Sequence, residues 1–307
     1  MEPTAVAEIR RLIAKAKRWD LIFSLVGLLA LSLAVTVLVG LFVNLVWDGA
    51  PRITTEFFTN FSSRRATSAG IAAAWVGTLL VMLVTALTAV PLGVAAGIYL
   101  EEYAPKNWLT GLIEINISNL AGVPSVVYGL LGLGLFVYLL GLGQSIAAAG
   151  LTLALLILPI VIVATREAIR TIPGAIREGA YALGATKWQM VSHHIIPYSS
   201  AGILTGVIIG LARAIGETAP LITVGAAVAI FSYPSSLFKG DFPFLSFEWL
   251  RESFTVMPIQ MFQWTSRPDQ AFQVNAAAAG LVLIVLTLLM NGFAIYLRYR
   301  LRKNIKW

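Results

Sequence analysis

Two residues of opposite charge, Arg213 and Glu217, stand four apart inside the run GILTGVIIGLARAIGETAPLITVGAAVAI, and no other Arg or Glu lies well inside an apolar run. An Arg at the centre of a membrane helix costs roughly 2.5–3.5 kcal/mol to insert. Four-residue spacing places both side chains on one helix face, but such a pair returns only ~0.2–0.5 kcal/mol, and Arg before Glu is the weaker order. A guanidinium offers a rigid fork of donors that matches an oxyanion. The pair therefore reads either as a waypoint for an anion, with Glu217 competing for Arg213 so that binding stays weak, or as a buried bridge between helices. A bridge that opens as an anion passes satisfies both readings.

A second constellation lies just before it, in EGAYALGATKWQMVSHHIIP, residues Glu178 to Pro197. Glycine inside a helix costs roughly 1 kcal/mol against alanine, so Gly184 marks a bend between two short helices. The small pair Gly179–Ala180 leaves room for another protein to approach closely. Pro197 is expected to end the loop and begin the next span. An amphipathic helix resting on lipid is the plainer alternative. His193 and His194 are the chain's two histidines, no acidic residue stands at H-E-x-x-H spacing around them, and there is no Cys. Metal hydrolysis and thiol chemistry therefore have no obvious ligands or nucleophile. No G-x-x-x-x-G-K-[ST] phosphate cradle occurs either.

The elements that must carry these residues are membrane spans. Of 307 residues, 58% are hydrophobic and 12% charged, half the charge of an average soluble domain, and the mean hydropathy is +0.82. Runs of about 20 apolar residues cross a bilayer. Six are expected, at 21–43, 71–100, 118–140, 146–165, 199–230 and 273–297. Pro91, Pro124, Pro159 and Pro220 fall in four of them. Helix breaks in lipid are tolerated where neighbours or a wet cavity satisfy the freed carbonyls, which favours a bundle around an internal path.

Basic residues set the orientation. With both termini inside, fifteen Lys and Arg are cytoplasmic and six (Arg52, Arg64, Arg65, Lys239, Arg251, Arg267) are outside. This distribution accounts for the net charge of +7 without a nucleic-acid partner. Val6, Ile9, Ile13 and Ala16 recur at helical spacing among Arg10, Arg11, Lys15, Lys17 and Arg18, as in a helix lying at the membrane surface. The apolar run after it lacks a small-residue cleavage site and reads as a retained anchor. In the outer loop 231–272, Tyr233, Phe242, Phe244, Phe247, Trp249 and Trp264 form either an aromatic belt on the outer leaflet or a landing surface for an external partner. The glycines of GLLGLGLFVYLLGLGQS fit close helix packing rather than a dinucleotide fingerprint.

The spacing of Glu178, Gly179–Ala180, Gly184 and Pro197 resembles the cytoplasmic loop shared by permease subunits of binding-protein-dependent ABC importers. Gly179, His194 and Ile196 depart from its usual residues. RAIGETAPL, LEEYAP, AGVPSVVYGL and MPIQMFQWTSRPDQAFQ narrow the resemblance to the A-type permeases of phosphate-specific importers, over most of the chain beyond about residue 70.

The resemblance implies an all-α polytopic membrane protein with six transmembrane helices in the type I importer fold, in the bacterial cytoplasmic membrane. It implies a heterodimer with a related C-type permease, a cytoplasmic ATPase dimer that binds ATP and Mg, and an extracytoplasmic phosphate-binding protein. No cofactor is expected on this chain. Glu178, Gly179, Ala180, Gly184 and Pro197 become the coupling element that docks in the ATPase, with His193 and His194 on the same surface, and Arg213 and Glu217 the substrate path. The expected organisation is an amphipathic helix over 1–20, a first span and outer loop over 21–70, a permease core over 71–297 with its coupling loop at about 166–198, and a basic tail over 298–307. The same machine moving another oxyanion or solute, and a gradient-driven carrier working alone, are the competing readings.

Overall fold

The computed structural model describes residues 3–226, 230–235 and 246–302, and no strand occurs among them. The helices are α1 (Pro3–Gly49), α2 (Thr55–Thr59), α3 (Ala72–Ile98), α4 (Trp108–Leu120), α5 (Ser125–Gly132), α6 (Ile146–Arg170), α7 (Gly174–Ala182), α8 (Lys187–Met190), α9 (Ile196–Gly216), α10 (Ala219–Val224), α11 (Met257–Thr265) and α12 (Gln270–Arg302). Wider π-helical turns extend α3 over Tyr99–Tyr103, extend α5 over Leu133–Leu139, and join α8 to α9 over Val191–Ile195. Five helical stretches are long and apolar enough to cross a membrane. The bent pair α4–α5, counted as one broken span, makes six.

The N-terminal surface helix expected over 1–20 is not a separate element. α1 runs unbroken for 47 residues, about 70 Å at 1.5 Å per residue, because neither Gly nor Pro interrupts residues 4–26. A hydrocarbon layer of about 30 Å covers less than half of it. Its apolar side chains from Leu12 to Trp47 are largely exposed. It meets the bundle near its last turns, where Gly49 rests against Ala277 and Ala278 of α12.

The four span prolines do not act alike. Pro91 and Pro159 sit inside continuous helices. Pro124 and Pro220 each follow a break, at the N-cap of α5 and in the first turn of α10. Gly122 and Gly216 shortly precede the two that break. A flexible residue followed by one pre-set for a helix start ends one helix and begins another. The third span thus starts at Trp108 rather than 118 and bends by 106°. The fifth ends as a helix at Gly216 rather than continuing to 230, and residues 227–229 of that expected span lie outside the described residues.

α3, α6 and α9 form the centre. Gly93 and Gly97 of α3 pack on Val161 and Thr165, so α3 and α6 run parallel. Gly202 and Gly206 of α9 pack on Ala168 and Ala164, so α6 and α9 run antiparallel. Small residues at four-residue spacing do this work in lipid, where burial of apolar surface gives helices little reason to associate. Gly129 and Gly132 from the glycine-rich run pack closely on α10 and on Thr152, and Gly134 has open space around it.

At one end of the bundle Trp264, Phe57 and Phe272 form a closed cluster. There Arg52 Nε donates to Asn275 Oδ1 at 2.9 Å, and the Thr78 hydroxyl accepts from Met257 N at 2.9 Å. Trp264 is buried in this cap and Trp249 in the neighbouring main core, so neither joins the expected aromatic belt. Phe247 and Tyr233 stay exposed, and Phe242 and Phe244 lie outside the described residues. The end carrying α7 and α8 is the opposite one, reached by the C-termini of α3 and α6. Of the expected basic tail, 303–307 also lie outside the described residues.

Candidate coupling element and membrane break

Residues 171–195 form a compact bent element. α7 ends in a C-terminal motif in which Gly184 N donates to Tyr181 O at 2.9 Å and Ala185 N to Ala180 O at 3.1 Å. Gly184 carries it at φ +80°, a left-handed conformation that glycine adopts without penalty. Thr186 then starts α8 with a reciprocal cap: Gln189 N donates to its hydroxyl at 3.3 Å, and Thr186 N donates to Gln189 Oε1 at 2.8 Å. Gly184 thus marks the expected bend.

Pro197 does not end the loop. The helix begins ten residues earlier, at Lys187, and continues through the π-turn into α9. The wider turn just before Pro197 accommodates a residue that lacks an N–H to donate.

The predicted docking residues divide by orientation. Glu178, Gly179 and Gly184 are exposed, and open space surrounds both glycine Cα positions. Ala180 turns inward, packed with Ile169, Ile172, Met190, Val191 and Ile195. Its small side chain therefore serves this chain's own packing. Around the exposed residues stand Tyr181, Trp188 and Leu183, the last 91% exposed. His193 is exposed and His194 half-buried in the π-turn.

What holds this element was not foreseen from the sequence. Arg177 donates to Glu102 Oε1 from Nη2 at 2.7 Å and from Nε at 3.0 Å. Its Nη1 donates to Ile172 O at 2.9 Å. Arg170 Nε donates to Glu101 at 3.0 Å. Arg166 lies between Glu114, at 2.6 Å, and Glu101, at 3.5 Å, attracted by charge rather than through aligned N–H bonds. Lys187 sits 4.9 Å over the Tyr103 ring. The adjacent acids of LEEYAP, and the Arg at 166, 170 and 177, were the sequence signal for it.

In the membrane, Arg213 lies in the last turn of α9 and Glu217 just beyond it, on extended backbone. They do not share one helix face, yet they meet across the helix end, Nε to Oε1 at 3.2 Å. The carbonyl end of α9 also favours a cation there. Arg213 is 39% exposed, with Ile209 exposed one turn earlier, whereas its neighbours Ala214 and Ile215 are buried. The guanidinium thus faces away from this chain's core. The two breaks lie close together: Gly129 of α5 packs on Pro220 and Thr223 of α10, and the Tyr128 hydroxyl donates to Leu120 O at 2.8 Å across the first break. Non-helical backbone at membrane depth survives only beside protein or a wet cavity.

Broken spans thus surround a small-residue core, with a bent element at one end. The fold matches that of the inward-facing methionine ABC transporter MetNI, with TM-score 0.57 and 16% identity over 73% of this chain and 93% of that one. The chain belongs to the family of binding-protein-dependent transport system inner membrane components, whose model matches residues 89–303. It is 34% identical to the phosphate transport system permease protein PstA of Yersinia pestis, over 85% of each chain. It is 33% identical to PstA of Xylella fastidiosa strain Temecula1 over 81% of each. Identity to the probable ABC transporter permease protein YqgI of Bacillus subtilis is 36%, over 64% of this chain and 66% of that one.

Proposed function

We propose that this chain is the A-type permease of an ATP-driven importer for inorganic phosphate. With a second, C-type permease it forms the path across the cytoplasmic membrane. An ATPase dimer, which binds the ATP and Mg, drives it from inside, and a phosphate-binding protein delivers the anion outside. Both termini are cytoplasmic, following the excess of basic residues at the α7–α8 end. The names of the relatives support the choice of phosphate.

The observation that carries the reading is Arg213: a forked cation on an open face of the chain, at the meeting of two broken spans, held by Glu217 at 3.2 Å. Since Ala214 and Ile215 beside it are buried while Arg213 and Ile209 are exposed, the path runs between this chain and the second permease rather than through this one. Glu217 partly neutralises Arg213, so an arriving anion exchanges one oxyanion partner for another and is not trapped. A carboxylate left free by the exchange tends to reclaim the guanidinium, which favours release. At the coupling end, Glu178, Gly179 and Gly184, with Leu183 and Trp188 beside them, enter the ATPase groove.

The test is uptake by the purified four-component complex in proteoliposomes. ATP-dependent accumulation of phosphate in preference to sulfate or a phosphonate is the expected result. Preference for either of those anions assigns the same machine to another oxyanion. Uptake by this chain alone, driven by a gradient and indifferent to ATP, overturns the reading. Cross-links placed at residues 178–190 should capture the ATPase in the active complex.

A further inference from the structure

The π-turn that ends α3 presents three consecutive side chains, and each holds a cation from a different element. Glu101 holds Arg166 and Arg170 of α6, Glu102 holds Arg177 of α7, and Tyr103 lies under Lys187 of α8. The widened turn, closed by Ala104 N donating to Tyr99 O at 2.8 Å, sets these residues at the junction of all three elements. The charges continue beyond the turn. Arg166 bridges from Glu101 to Glu114 on α4. α4 ends at the 121–124 break, and the helix after that break, α5, packs on α10 next to Glu217.

The geometry points to Glu101, Glu102, Arg166 and Glu114 as a relay that passes movement of the α7–α8 element to the membrane break. They act as positioning residues for transport. The inference rests on the proposed docking of α7–α8 in an ATPase. Two physical features favour a relay over a passive anchor. First, Glu102 and Arg166 have side chains only 6% exposed, so their charges stay with their partners: parting a buried ion pair leaves an uncompensated charge. A push on α7 must therefore carry Glu102, and with it the end of α3. Second, the contact crosses to α4, which is attached to a hinge rather than to a rigid span. Attraction between charges falls slowly with distance, so the tie persists through shifts that would break a close-packed contact.

The deciding quantity is solute moved per ATP hydrolysed, in the reconstituted complex. Glu102→Gln keeps the shape and removes the charge. The expected result is a complex that still copurifies with its ATPase and hydrolyses ATP, with transport per ATP reduced roughly tenfold, as for loss of one charge-assisted contact. Exchanging the pair, Glu102→Arg with Arg177→Glu, should recover part of that loss. A wild-type ratio in Glu102→Gln overturns the relay, and so does a parallel fall of hydrolysis and transport that leaves the ratio unchanged. Should Glu102→Gln fail to assemble, Glu114→Gln, at the more exposed far end, decides by the same ratio: reduced supports the relay, unchanged overturns it. The ratio is read on whichever anion the wild-type complex carries, so the relay can fail while the phosphate reading stands, and the reverse.

Discussion

The long helix through α8 and α9 is tied by charge near both ends and held by close packing between them. Where it starts, the α7–α8 element packs on Ile169 and Ile172 through Ala180 and Met190 and is tied to the end of α3 by the Arg177–Glu102 ion pair. Further along, α9 is held sterically, with Gly202 and Gly206 so close to Ala168 and Ala164 that no side chain fits between. Its far end returns to charge at Arg213 and Glu217. Dispersion contacts lose much of their value within an ångström of separation, whereas charge pairs weaken gradually. The segments proposed to move thus carry charged ties in addition to their packing, and the seam between α6 and α9, held by close packing, is the part built to stay.

The comparison is broken most directly at Arg213. Arg213→Ala should abolish ATP-driven uptake while the complex still assembles, checked by flux assay and size-exclusion chromatography. Loss of assembly instead would make the pair a structural bridge. Arg213→Lys keeps the charge and loses the fork, and should transport poorly if two-point recognition matters.

Next in size, one substitution at two glycines separates seam from surface. Gly206→Leu has no room beside Ala164 and should cost about 1–3 kcal/mol or more from overpacking, seen as a lowered thermal midpoint of the purified complex. Gly179→Leu enters open space and should leave that midpoint within the ~0.5 kcal/mol typical of surface changes, while uptake falls because the docking surface is obstructed. Equal loss of stability at both sites would erase the distinction.

The smallest effect expected is at the cap. Thr186→Ala removes one half of a reciprocal hydrogen bond and should weaken the start of α8 by about 1 kcal/mol. Faster amide hydrogen exchange over residues 187–190, with α9 unchanged, is the signature.

Much of the candidate site was legible before folding. The bend at Gly184 is encoded within a few neighbouring residues, as is the apolar length of each span; the Thr186–Gln189 cap is equally local and emerged with the structure. Other features were misjudged because a local pattern has more than one tertiary outcome. Ala180 reads as a surface residue by its size, yet it fills a pocket made by α6, α8 and the π-turn. Trp249 and Trp264 read as interfacial aromatics, yet both are buried, Trp249 in the main core and Trp264 in the cap. Pro197 reads as a boundary, but the π-turn before it lets the helix continue.

From composition, spacing and periodicity alone, the chain is a six-span membrane protein with a bent loop before its fifth span and no phosphate cradle of its own. Those properties depend on each residue and its near neighbours, which the chain order already specifies. Which prolines break their helices, that Arg213 faces outward, and that Glu102 finds Arg177 across 75 positions were decided by tertiary structure. Contacts between distant segments depend on how whole helices pack, and many sequence-compatible partners compete for each charge until that packing selects one.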